Sequence, residues 1–199
     1  MERAGLDASG LTVLARARWP DVAGDSLPEI PGFFVSSFSP LVAELAERCL
    51  RRYFGGRPAD PGRGDVTGVL LASVSGDIAT AAAIAAAVDA GRRVPPLLFF
   101  QSSPNAVVGH LTARWGLTGP VVCTSPPKDA LADALRGAAL LIQDGDAAAV
   151  LVIVAEQRPD HGAADHGAAM LVGPGSWAPP AVVADADISR QHASKIVGE

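Results

Sequence analysis

Two cysteines in 199 residues, a charged fraction of 19% and aromatics at 5% exclude several classes of protein at once. Cys49 and Cys123 are too few for a disulfide framework, and each stands among apolar neighbours where a small thiol packs well, so both read as core residues. No run of Lys or Arg is long enough to track a phosphate backbone or an anionic membrane surface, and a net charge of −5 argues against nucleic acid as a partner. The longest unbroken apolar run, residues 147–155, falls far short of the roughly 20 residues that cross a bilayer. The opening MERAGLDASG also lacks the basic-then-apolar pattern of a signal segment, and together these features predict a cytoplasmic protein with no membrane partner. The glycines at 55, 56, 62 and 64 have neither the strand-to-helix setting nor the Lys-Ser/Thr ending of a phosphate loop, so no cofactor is expected.

What is present is apolar residue in periodic blocks, 49% of the chain, enough for one core and little for a second. A single domain over 1–199 is expected, with its core at about 11–175 and an irregular tail at about 176–199. LTVLARA (11–17) reads as a strand, and Trp19-Pro20 opens a long irregular connection. Ser39 is placed to cap a helix with Pro40 at its first position; Leu41, Leu45 and Cys49 share one face, Glu44–Arg48 and Glu47–Arg51 pair on the other, and Gly55 ends it. GGRPADPGRGD is a linker by composition, and its Arg63-Gly64-Asp65 tripeptide is the chance product of such a loop.

Strand signals recur at 66–73, 120–124, 148–154 and 168–172. Between them lie an alanine-rich helix capped by Asp77, a helix starting at Ser103 or Pro104 with Val107, Leu111 and Trp115 on one stripe, and a helix from KDALADALRGAALLI. LLFFQ (97–101) leads into the second of these. Strands alternating with helices predict an α/β sandwich with a largely parallel sheet, the last strand antiparallel and 148–154 central. His161 and His166, five apart with glycines between, match no metal-ligand spacing, so no metal is expected. His110 lies beside the core stripe of its helix.

Asn105, Gly109, Trp115-Gly116-Leu117 and Gly119-Pro120 resemble the NxxxG and fGLxGP segments of β-ketoacyl synthases, the condensing enzymes of fatty acid and polyketide assembly. IQDGDAAAVLVIVAE and Gly167-Ala168-Ala169-Met170-Leu171-Val172 resemble the two strands that follow in that family. The likeness runs from about Val66 to Val172. It implies an α/β fold that is one half of a thiolase-like fold, a five-stranded mixed sheet with helices on both faces, and Glu156 falls where the family often has a structural acid.

Two departures accompany the resemblance. Counting from Gly119-Pro120, the family's nucleophilic cysteine corresponds to Lys128, in SPPKDAL, and the family's two catalytic histidines belong to the other half of the fold. Decarboxylative condensation needs a thiolate and an oxyanion site assembled together. The resemblance therefore implies a degenerate accessory subunit of the chain length factor type, which pairs with a full-length ketosynthase or with itself as a homodimer and works beside an acyl carrier protein. The alternative is an isomerase, dehydratase or cyclase acting on carrier-bound acyl chains. Its candidate residues are Lys128, at a helix N-terminus where the dipole disfavours a cation, and Cys123, five residues before it.

Overall fold

Five strands, β1 (Thr12–Trp19), β2 (Thr67–Ala72), β3 (Val121–Thr124), β4 (Ala149–Glu156) and β5 (His166–Gly173), share one sheet in the order β1-β5-β4-β2-β3. The computed structural model describes residues 10–158 and 164–177. β4 runs parallel to β2 and β2 to β3, whereas β5 is antiparallel to both β4 and β1. The central place of β4 explains its unbroken apolar sequence: Leu151 and Ile153 enter the core on one face of the sheet, Val150 and Val152 the core on the other. Both sets are at most 1% exposed.

The first face is covered by α1 (Phe38–Phe54) and α5 (Pro104–Trp115). Leu41, Leu45 and Cys49 are fully buried, and each leucine contributes about 2 kcal/mol by leaving water. The expected ion pairs form, with Arg48 Nε 2.6 Å from Glu44 Oε1 and Arg51 Nη2 2.5 Å from Glu47 Oε1. Gly55 ends α1 at φ 80°, its N–H bonded to Arg51 O at 2.9 Å. The N-terminus departs from the sequence reading: α1 begins at Phe38, and Ser39 is buried in its first turn rather than capping it. Ser36 Oγ accepts the Phe38 N–H at 3.1 Å, so the first free amide is satisfied two residues upstream of the helix.

The stretch 55–65 is also more structured than a linker. It holds a helical turn, α2 (Pro61–Gly64), and Ala59 and Gly64 are buried. The Arg63 guanidinium lies 5.5 Å from the Tyr53 ring centroid and 5.4 Å from that of Trp177, so this arginine is a packing residue.

α6 (Ala130–Gln143) covers the second face, with Ala130, Ala134 and Ala138 turned to the sheet every fourth residue. α3 (Ile78–Asp89) follows β2, and Asp77 caps it as expected, accepting Thr80 N–H at 2.9 Å. Residues 97–101 are a short helix of their own, α4 (Pro96–Gln101), entered through Pro95-Pro96. Gly175–Trp177 form one 3-10 turn. That turn takes in the first two residues of the tail read as irregular at about 176–199; residues 178–199, and His161, lie outside the described residues.

Candidate functional site

The connection out of β2 runs through α3, α4 and α5 to the α1 face, and the connection out of β3 runs through α6 on the opposite face. Neighbouring parallel strands whose connections part in this way open a crevice between their carboxyl ends, where open α/β sheets place ligands. Its walls here are residues 73–77 after β2 and 125–129 after β3.

Glu156, at the end of β4, braces the first wall. Its carboxylate accepts Val74 N–H at 2.5 Å, Ser75 N–H at 3.2 Å and Ser73 Oγ–H at 3.2 Å. Ser125 Oγ donates to Val74 O at 3.1 Å and ties the second wall to the first. Asp77 is equally occupied, by Thr80 N–H, by Thr80 Oγ–H at 2.7 Å and by Ser36 Oγ–H at 2.5 Å. The Thr124 hydroxyl, at the end of β3, is buried with no hydrogen-bond partner among the described residues.

Lys128 lies in the second wall, exposed, in the bend ahead of α6. The helix read from Lys128 onward starts later, at Ala130, and its cap is Asp129, which accepts Ala132 N–H at 3.1 Å from a left-handed backbone of φ 42°. A carboxylate can accept a free helix amide and an ammonium cannot, so the boundary falls after the lysine. Cys123 is in β3, half-buried against the α1-side core, and burial pushes its thiol up. Cys49 is fully buried and is pushed up to about 12 by the same cause. Burial outweighs the pull of Arg52 on Cys49, and among the described residues no cation acts on Cys123. Iodoacetamide at neutral pH is therefore expected to leave both thiols intact in the native protein and to modify both in guanidinium; rapid native modification of Cys123 would revive it as a nucleophile.

The histidines stand apart from these groups. His110 packs edge-on against Phe33 at 5.7 Å and is held below the ordinary imidazole value by burial and by Arg114. His166 opens β5, exposed, in register with Glu156. Neither enters the crevice hydrogen bonds, and among the described residues no three His, Cys, Asp or Glu side chains form a metal-binding group. Two clefts lie elsewhere, beside α5: one of about 250 Å³ reaches Glu47, Arg57 and Trp115, and one of about 670 Å³ is lined by Phe33, Phe99, Phe100 and Ala106. His110 stands between them. The crevice thus offers an amine, hydroxyls and the carboxylates of Glu156, Asp77 and Asp129, each already accepting hydrogen bonds, and among the described residues it shows no nucleophile–base couple of the acyl-transfer kind.

One buried network escaped the sequence reading. Gln157 donates to Ser36 Oγ at 3.1 Å and Ser37 Oγ at 2.9 Å, and Gln101 accepts Phe34 N–H at 3.1 Å and donates to Thr80 Oγ at 3.0 Å. Its partners are 21 to 121 residues apart, with no local signature.

Comparison with known proteins agrees with this architecture. The model of the family described as beta-ketoacyl synthase, N-terminal domain, matches residues 60–178, more than half of the chain. The chain belongs to that family. Among solved structures it is similar to one from the complex of a ketosynthase with its chain length factor from Xenorhabdus doucetiae, at 18% identity and a TM-score of 0.64, over 83% of this chain and 79% of that one. The ishigamide ketosynthase/chain length factor matches at 20% identity and 0.60, over 87% and 57%. A beta-ketoacyl synthase from Burkholderia phymatum matches at 18% and 0.57, over 86% and 54%. The chain therefore spans a little more than half the length of the last two. No curated protein matches it. No helix among the described residues is long and apolar enough to cross a membrane.

Proposed function

We propose that this chain is a non-condensing accessory subunit, a single ketosynthase-like domain of the chain length factor type, that pairs with an active ketosynthase in the cytoplasm during fatty acid or polyketide assembly and works beside an acyl carrier protein. One observation carries the reading. The strand-to-helix turn after β3, where the resemblance puts the condensing cysteine, holds an exposed Lys128 and a capping Asp129, with no thiol and no base beside them. Support also comes from the ketosynthase–chain length factor complex, in which the matched chain is of about this chain's length, since 83% of one covers 79% of the other.

Altered chemistry at Lys128 is the weaker reading. An amine that attacks a thioester expels the carrier thiol and forms an amide, which has no good leaving group for onward transfer. The test is to incubate the wild type and Lys128→Cys with acyl-carrier and malonyl-carrier substrates and to weigh protein and products. Neither protein alone should gain an acyl mass or yield an extended chain, and Lys128→Ala should bind a ketosynthase as tightly as the wild type, within about twofold. An extended product from the chain alone would establish it as an enzyme.

A further inference from the structure

β1 is the outermost strand of the sheet on the side away from β3, and its two faces differ in chemistry. Ala17 and Trp19 turn into the core beneath α1, so the residues that alternate with them, Arg16 and Arg18, stand on the opposite face. There they lie in register with Met170 and Ala168 of β5. α6, the helix on that face, packs chiefly against β4 and β2, and Arg16 and Arg18 stay exposed beyond it. A cleft of about 400 Å³ results at the sheet margin, within the range of small-molecule sites. Met170 and Ala168 supply its apolar part, and Arg16, Arg18, Arg52 and Asp21 its polar part.

The charge of this cleft is unbalanced. Three guanidiniums against one carboxylate leave an excess of two positive charges, in a chain whose net charge is −5. Arg16 and Arg18, two apart on one strand face, leave the backbone roughly 7 Å from each other, so their cations repel unless an anion lies between them. By contrast Arg48 and Arg51, on α1, each have a glutamate one turn away. Two of the three cleft guanidiniums are also held in place. Asp21 takes one with each oxygen, Arg18 Nε at 2.9 Å from Oδ1 and Arg52 Nη2 at 3.2 Å from Oδ2. Arg52 arrives from the last turn of α1, around the strand edge, and its other terminal nitrogen donates to Arg16 O. Among the described residues both Nη groups of Arg18 and the whole Arg16 guanidinium keep their donors unspent. Planar forks of this kind match phosphate oxygens in pairs. The charge excess fits a dianion, which a phosphate monoester is and a carboxylate is not, and the volume and apolar side of the cleft exceed what a bare ion fills.

We propose that the β1–β5 cleft binds the phosphate of a small organic phosphate monoester, with Arg16 and Arg18 on its oxygens, Arg52 beside them and the apolar part of the ester against Met170 and Ala168. The site stands at the far margin of the sheet from the β2–β3 crevice and does not depend on the accessory-subunit reading. The test is to titrate the full chain with phenyl phosphate at low ionic strength, by calorimetry and by the phosphorus resonance of the ligand, with inorganic phosphate and benzoate as comparison probes. Saturable one-to-one binding of phenyl phosphate is expected, with each comparison probe weaker by about fivefold or more. Arg16→Gln and Arg18→Gln should each weaken it by roughly tenfold, the loss of one charge-assisted contact, and Arg114→Gln, on α5 outside the cleft, should leave it unchanged. All three side chains are exposed, so the variants should fold normally, and circular dichroism checks that they do. No saturable binding by the wild type, or equal binding by the wild type and both cleft variants, would overturn the site. Inorganic phosphate held as tightly as phenyl phosphate would overturn the organic monoester, and benzoate held as tightly would overturn the phosphate.

Discussion

Replacing Trp115 by alanine is expected to lower the unfolding free energy by about 4 kcal/mol, the middle of the range for emptying a buried aromatic site. Trp115 is 1% exposed and ends the α5 stripe beneath α1, its ring tilted against Phe54 at 6.2 Å. Its indole N–H donates to Glu47 Oε2 at 3.0 Å, and Glu47 also receives Arg51 at 2.5 Å and Arg57 at 3.3 Å. That carboxylate keeps two cationic partners when the tryptophan is gone, so the cavity accounts for most of the loss and the hydrogen bond for little. Trp115→Phe separates the two contributions: it retains most of the packing and should cost about 1 to 2 kcal/mol. Guanidinium unfolding followed by far-ultraviolet circular dichroism measures both. A loss below about 1 kcal/mol for Trp115→Ala would mean that α5 is not anchored through this residue.

The Trp115 stripe was legible in the sequence because Val107, Leu111 and Trp115 recur every fourth residue, and such a pattern has one interpretation when a core is available. β4 was legible for a different reason. An uncharged run of nine residues, too short for a membrane and rich in β-branched types, can only be a strand covered on both faces, and that places it centrally. The start of α1 was misread because Ser39-Pro40 carries a local capping signature, whereas the amide it would have served is taken by Ser36, which is itself fixed by Asp77 and Gln157 far along the chain. The start of α6 was misread by two residues for a similar reason: alignment by counting places Lys128, while the energetics of a helix end select Asp129.

The crevice shows the same division. Its position follows from strand order, which the alternation of elements implies, but its occupancy does not. That Glu156 is engaged by two loop amides and a hydroxyl depends on contacts across more than 80 residues. α3 lies at the opposite extreme. Its alanine-rich sequence marks no polar face, yet only Thr80 and Ala87 of it are buried, while α1 and α5 fill the core on the first face of the sheet.

Gly119→Ala is expected to lower stability by about 3 kcal/mol, whereas Gly109→Ala should raise it by roughly 0.5 to 1 kcal/mol, although both glycines belong to the segments that resemble the condensing enzymes. Gly119 crosses the start of β2 so closely that an added Cβ would sit 2.5 Å from Thr67 O, 2.6 Å from Thr67 C and 2.8 Å from Gly68 N. All three are backbone atoms of a strand paired on both sides, with Thr67 registered to Ala149 and Val69 to Val121, so they cannot yield as the tip of a flexible side chain would. The same crossing is tight from the other direction, since a Cβ on Gly68 would meet Pro120 O at 3.1 Å while Val69 N–H bonds that oxygen at 2.8 Å. Relief requires β2 and the entry to β3 to separate, which breaks that hydrogen bond and opens the crevice between the two strands. Gly109 lies in the body of α5, and an added Cβ would have no atom within 4 Å, so alanine there reduces the freedom of the unfolded chain at no steric cost. Unfolding midpoints in guanidinium, compared at equal slope, measure both changes. Equal effects of the two substitutions, or a loss below about 1 kcal/mol for Gly119→Ala, would show that the β2–β3 crossing is looser than this packing.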